Sequence, residues 1–80
     1  MKAQYADHAE DELRLRRVPK SLVEEALSNP LSVVSGNKPG RMVAQRMVGK
    51  KLLRVVFEPR GEVFMVITAY YANPKRYGVG

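Results

Sequence analysis

At 80 residues, 45% of them apolar, the chain can bury one small core, and it is too short for a second domain or a deep enclosed cleft. No cysteine and a single histidine exclude disulfides, a thiolate nucleophile and cysteine- or histidine-rich zinc sites. Residues 1–29 carry five Lys/Arg against six Asp/Glu, whereas residues 30–80 carry nine against two, so the formal charge of +6 is concentrated in the C-terminal part and fits a polyanionic partner, nucleic acid or acidic protein.

The N-terminus opens on a polar, charged run without a signal-peptide core, and no stretch approaches the roughly 20 apolar residues of a membrane helix; a soluble, cytoplasmic protein is expected. Asp7 is placed to cap a first helix, with Glu10 three residues on, and Ala9, Leu13 and either Leu15 or Val18 form a narrow apolar stripe. Pro19 suits the first turn of a second helix in which Ser21 and Glu24 make a further capping pair. Leu22, Val23, Ala26 and Leu27 share one face of it, and Asn29-Pro30 ends it.

After Pro30 the apolar period changes. Leu31 to Ser35 reads as a short strand, Gly36-Asn37-Lys38-Pro39-Gly40 as a loop, and Arg41 to Val48 as a second strand. Gly49-Lys50 reads as a tight turn into Lys51 to Glu58, and Pro59-Arg60-Gly61 as a turn into Val63 to Tyr71, which Asn73-Pro74 stops. Two helices followed by four strands predict one α+β domain over residues 1–80, with two N-terminal helices packed on one face of a four-stranded antiparallel sheet.

Register sharpens this expectation. A two-residue loop at Gly49-Lys50 pairs Met47 with Leu52, Gln45 with Arg54 and Val43 with Val56, and paired residues share a face. Met42, Ala44, Leu53, Val55 and Phe57 then seat the helices, while Arg41, Gln45 and Arg54 lie on the open face. A three-residue loop at Pro59-Arg60-Gly61 adds Phe64, Val66, Thr68 and Tyr70 to that open face.

Arg41, Arg54 and Tyr70 form a candidate phosphate clamp, because guanidinium forks match phosphate geometry and aromatic rings stack on bases; Gln45 and Thr68 add hydrogen-bonding groups beside them. The competing reading is solvated arginines beside a packing tyrosine. Arg46 falls on the helix side near the turn, beside Lys51, and the two offer a basic rim unless Arg46 snorkels into solvent. Lys75, Arg76 and Tyr77 make a basic tail able to hold phosphate or protonate a leaving oxygen, against a frayed terminus. His8 is the only side chain whose ordinary pKa suits proton transfer at neutral pH, yet one histidine makes no triad and a capping role competes. Glu10, Asp11 and Glu12 read as solvated helix surface, since adjacent helical residues splay apart. The sequence has no Gly-rich phosphate loop and no serine elbow.

His8-Ala9 heading a charged helix, Arg16-Arg17-Val18-Pro19 before the second helix, and the closing strand Ile67-Thr68-Ala69-Tyr70 resemble a group of small uncharacterised bacterial domains similar to the RelE/ParE toxin superfamily. The resemblance implies a compact antiparallel sheet with two helices on one face, and a setting in which an acidic antitoxin wraps a basic toxin. RelE-like members cleave mRNA without metal, usually on the ribosome, and ParE-like members inhibit DNA gyrase. In the nucleases, basic side chains on the open sheet face and a tyrosine or histidine near the C-terminal end assist attack of the 2′-hydroxyl on the adjacent phosphate. Carried onto this chain, that implies Arg41 and Arg54 as phosphate stabilisers and Arg76 or Tyr77 as the acid or its positioner, while His8 matches a recurring histidine of the group. A histidine in the last strand or tail and a C-terminal helix are missing. The expectation is a metal-independent mRNA endonuclease without a cofactor, with RNA or ribosome-bound mRNA and an acidic antitoxin as partners. Its candidate catalytic residues are His8, Arg54, Arg76 and Tyr77. Candidate RNA-binding residues are Arg41, Gln45, Arg46, Lys51, Thr68, Tyr70 and Lys75. The alternatives are a noncatalytic module for nucleic acid or an acidic protein, and a gyrase inhibitor.

Overall fold

The computed structural model describes residues 2–79. Along them run β1 (Lys2–Tyr5), α1 (Ala9–Leu15), α2 (Lys20–Ser28), β2 (Ser32–Ser35), β3 (Met42–Val48), β4 (Lys51–Arg60), β5 (Val63–Ala72) and a 3-10 turn (Pro74–Tyr77). No helix among the described residues is long and apolar enough to cross a membrane.

The sheet has five strands in the order β1-β5-β4-β3-β2, and β1 runs parallel to β5. This corrects the expectation of a four-stranded antiparallel sheet. Lys2-Ala3-Gln4-Tyr5 is too short and too polar to announce a strand, but its alternation places Ala3 and Tyr5 beside Phe64 and Val66 while Lys2 and Gln4 face solvent. Its partner comes from the far end of the chain, so no turn signal marks the pairing.

The β3–β4 register follows from the two-residue turn at Gly49-Lys50: Val43 pairs with Val56, Gln45 with Arg54 and Met47 with Leu52. Gly49 has φ 61° and Gly61 φ 62°, both left-handed, so glycine opens each of the two tight turns of the meander. The second turn is Gly61-Glu62 rather than Pro59-Arg60-Gly61, and Arg60 pairs with Val63. A register shift between Val56 and Phe57 then leaves Ile67 without a partner on β4, a β-bulge. Thr68 and Tyr70 stay on the open face as expected, but Phe64 and Val66 turn to the helix side and join the core. The shorter turn and the bulge each change the parity once, which is why only the residues before the bulge are misplaced.

The helices pack on the face that β3 and β4 present through Ala44, Leu53, Val55 and Phe57. Leu13, Val18, Val23, Ala26 and Leu27 close onto it, with Val66 and Ala69 from β5. Phe57 and Phe64 add a tilted aromatic contact at 4.9 Å between centroids. The apolar stripe of α1 thus continues to Val18; Leu15, the alternative, is 83% exposed.

The helix caps differ from those expected. His8, not Asp7, occupies the N-cap of α1, with φ 72° and no side-chain capping bond, and Glu10 pairs instead with Lys20 at 2.7 Å. Pro19 is the N-cap of α2 rather than its first helical residue, and it too makes no side-chain capping bond. At the C-terminal end of α1, the Arg17 amide donates to Arg14 and the Val18 amide to Leu13 at 2.8 Å, while Arg17 adopts φ 57°. This is the Schellman geometry, with buried Leu13 and Val18 as its apolar pair, but arginine holds the left-handed position that glycine usually fills.

Two predictions follow from these corrections. Arg17→Gly removes the left-handed penalty at an exposed site and raises stability by up to about 1 kcal/mol in urea unfolding, glycine's extra chain entropy offsetting part of the gain. The Ala6 amide, which donates to Val66 at 2.9 Å just past β1, exchanges with solvent far more slowly than the amides of the Asn37–Gly40 loop; equal rates would remove β1 from the sheet.

Candidate functional site

The register collects one polar row on the open face. Ser32, Gln45, Arg54 and Tyr70 are successive cross-strand partners on β2, β3, β4 and β5. Gln45 Nε2 donates to Ser32 Oγ at 2.9 Å, Arg54 Nε donates to Gln45 Oε1 at 2.9 Å, and Arg54 Nη1 donates to the Tyr70 hydroxyl. Gln45 is 3% exposed, so its amide is committed on both sides.

Tyr77 completes the arrangement from outside the sheet. Asn73 caps the 3-10 turn by accepting from the Lys75 amide at 3.0 Å, and the turn folds back so that the Tyr77 ring centroid lies 3.8 Å from Arg54 Cζ. Tyr70's ring lies at 5.6 Å from the same carbon. The guanidinium is therefore stacked on one phenol and hydrogen-bonded to another, a placement that suits arginine and not lysine. Arg54 is half-buried, and among the described residues it makes no ion pair and its Nη2 has no protein partner. A partly buried cation held by neutral groups keeps its capacity to pair with an anion.

Beside it lies a depression of about 250 Å³, bounded by Arg54 and Tyr70 at one end, Arg41 at the other, Val43, Val56 and Thr68 between them, and the Ser35–Asn37 segment. Arg41 shares a carboxylate with a second arginine: its Nε donates to Glu58 at 3.0 Å, and Glu58 also accepts from Arg60 at 2.8 Å. Thr68 is engaged from the other side. Arg16 Nη1 donates to Thr68 Oγ1 at 2.6 Å, and Thr68 Oγ1 donates to Glu12 Oε1 at 2.7 Å. Arg16 also reaches Glu12 at 2.7 Å and the Ala69 carbonyl at 3.4 Å, clasping α1 to the edge of β5 beyond the end of β1.

The charges follow these contacts. Burial raises the Tyr70 phenol above its ordinary 10.0; Arg54 opposes this and the neighbouring Tyr77 adds to it, so Tyr70 is a neutral proton donor near pH 7. The hydrogen bond from Thr68, then that from Arg16, holds the Glu12 carboxyl below the usual range, with His8 adding a weak pull. Arg41, then Arg60, does the same for Glu58.

Residues 5–71 match the model of a protein family described as a domain of unknown function, DUF4258. The chain belongs to the DUF4258 family. Comparison with curated proteins and with solved structures gave no match. The DUF4258 segment contains the whole row from Ser32 to Tyr70 and the Arg16 clasp, whereas Tyr77 lies beyond it.

Of the residues singled out from sequence, Arg41, Gln45, Arg54, Thr68, Tyr70 and Tyr77 come together around this depression. The others do not. Arg46 lies on the helix side, where it donates to the Asn29 carbonyl at 2.9 Å and pairs with Glu25 at 2.7 Å, sealing the C-terminal end of α2. Lys51 borders a separate depression with Lys50, Tyr71 and Pro74. Lys75 and Arg76 are exposed and His8 is exposed at the head of α1, and none of the three makes a side-chain hydrogen bond among the described residues. Sequence reasoning missed Glu58, Ser32 and Asn37. Extending the β3–β4 pairing by two residues past Val56 would have found the first, since Glu58 then stands beside Arg41. Among the described residues no three His, Asp or Glu side chains gather closely enough to hold a metal ion.

The Glu58 pairs predict acid behaviour. A carboxyl held below its ordinary 4.5 contributes stability that is present above that pH and lost as pH falls through the lowered value. Glu58→Gln is therefore less stable than wild type at neutral pH, and its stability falls less steeply below pH 4.5 in denaturant titrations.

Proposed function

We propose that this protein engages RNA through the open sheet face, with a backbone phosphate on Arg54, and that it acts in the bacterial cytoplasm as a RelE-like, metal-independent mRNA endonuclease restrained by an acidic antitoxin. The observation that carries the binding is Arg54 itself: a half-buried guanidinium that, among the described residues, has neither an Nη2 partner nor a carboxylate, and whose orientation two phenols fix. Phosphate supplies the charge that these neutral partners leave unmet. The positive half of the chain favours the approach of a polyanion, and the exposed Lys75 and Arg76 extend the charge beside Tyr77.

Cleavage rests on the resemblance to the toxin nucleases and on the chemistry available at Arg54. The guanidinium is placed to stabilise charge growing on a phosphorane formed by attack of the 2′-hydroxyl. Tyr70, neutral and hydrogen-bonded to Arg54, has a proton to give to the departing 5′-oxygen. The base is the weak point of the assembly, because Arg54 touches only an amide and two phenols and His8 makes no hydrogen bond to any of them. That observation favours a second reading, a noncatalytic RNA-binding module that uses the same face.

One experiment separates the two. Purified protein is incubated with single-stranded RNA and with the matching 2′-deoxy strand, with and without ribosomes, and binding and cutting are followed together. The nuclease reading expects cutting of RNA only, cutting abolished by Arg54→Ala, and growth arrest when the chain is expressed without an acidic antitoxin. Binding that weakens steeply with salt, without cutting or arrest, leaves the module. Arg54→Lys keeps the charge but loses the fork and the stack, and is expected to weaken RNA binding by about 1–3 kcal/mol, the scale of a lost stacking contact. Unchanged RNA affinity in both Arg54 variants would remove this face from either reading.

A further inference from the structure

The geometry points to a subsite for one unpaired guanine base in the depression between Arg54 and Arg41, a deepening that rests on the phosphate-binding reading of Arg54. The two arginines stand on either side of an apolar row. Arg54 lies in register with Gln45 and Tyr70, the next row holds Val43 opposite Val56 opposite Thr68, and Arg41 pairs with Glu58 beyond it. Four residues of β4 separate Arg54 from Glu58, roughly 13 Å along the strand at about 3.3 Å per residue. The depression that both arginines line is on the scale of a single nucleotide unit.

The ends of the depression differ in charge, and this selects the ligand. Arg54 has no carboxylate partner among the described residues, whereas Arg41 shares Glu58 with Arg60 and contacts it only through Nε; its two terminal nitrogens have no protein partner among the described residues. A second anion at the Arg41 end would meet the Glu58 carboxylate. A neutral group with two adjacent acceptors would instead satisfy the open fork, and the O6 and N7 edge of guanine has that pattern. In single-stranded RNA this edge is free to be read. Val43 and Val56 offer the base an apolar contact between the two ends, and a volume of about 250 Å³ admits one nucleoside and no paired stack.

The wall of the subsite is held in place by backbone. The Gly36 amide donates to the Arg41 carbonyl at 2.8 Å, and a Cβ on Gly36 would lie 3.0 Å from that oxygen and from Arg41 Cβ. The loop can approach Arg41 this closely because residue 36 is glycine, and it carries Asn37 into the lining of the depression that Arg41 also borders. Arg41 reads the base here, and Asn37 adds a hydrogen bond at its rim.

The test is binding of uridine hexamers carrying one central G, A or C, measured by fluorescence anisotropy with the full-length protein. The G hexamer is expected to bind about tenfold more tightly than the A or C hexamer. Arg41→Lys keeps a cation for Glu58 but loses the fork, and it should bring the G-to-A ratio close to one. Asn37→Ala lies in an exposed loop, threatens folding least, and should lower the ratio partially. Binding of all hexamers with no preference for G, a preference for A, or a G preference that survives Arg41→Lys overturns the subsite and leaves the phosphate reading standing. Failure to bind any hexamer overturns both.

Discussion

The two-residue turn at Gly49-Lys50 is the constraint on which the rest of the molecule depends. It fixes which face of the sheet every residue of β3 and β4 takes, because side chains alternate strictly along a strand. One face receives Ala44, Leu53, Val55 and Phe57 and becomes the seat of the helices. The other receives Gln45, Arg54 and Val56, and with them the polar row that ends at Tyr70. A slip of one residue would bury Arg54 beneath α2 and expose Leu53, an exchange no domain of this size withstands. Core and site are thus opposite faces of a single register.

Arg54 shows how a small open sheet keeps a cation desolvated without neutralising it. A carboxylate beside it would offset its charge, as Glu58 does in part for Arg41 through Nε alone. Gln45 and Tyr70 instead orient the guanidinium while leaving its charge intact, and Tyr77 shields one face by stacking. Such a group lowers stability relative to an apolar residue of the same size.

Much of this was legible in the sequence because it is local. The Gly49-Lys50 turn, the change of period after Pro30 and the alternation of β3 and β4 are short-range signals, and they place Arg54 and Gln45 on one face before any coordinate is known. What was illegible is nonlocal or compensating. Lys2–Tyr5 becomes a strand only because the distant β5 presents Phe64 and Val66 beside it, so four polar-looking residues give no warning. The bulge at Ile67 and the shorter turn at Gly61-Glu62 are each invisible to a pattern of alternation, yet their parities cancel for Thr68 and Tyr70 and not for Phe64 and Val66. Arg46 and Arg54 are chemically identical in the sequence. Their different fates, sealing a helix end and facing an empty depression, follow from facing opposite sides of the sheet.

The bulge also explains why the Arg16 clasp exists. β1 covers the outer edge of β5 only from Val63 to Val66, and past the bulge the edge would lie open. There α1 takes over: Arg16 binds Thr68 and the Ala69 carbonyl, and Glu12 accepts from Thr68. Edge backbone that lacks a strand is thereby satisfied by a helix side chain, and the same contacts pin Thr68 one row from Arg54. The Arg16-Arg17-Val18-Pro19 motif accordingly has two jobs in one stretch. Arg16 fixes the strand that carries Tyr70, while Arg17 and Val18 turn the chain so that α2 covers the core beneath it. The position of the open-face site is therefore set from the helix layer as well as from the sheet, and a change at the α1–α2 corner would be felt at Tyr70 without touching it.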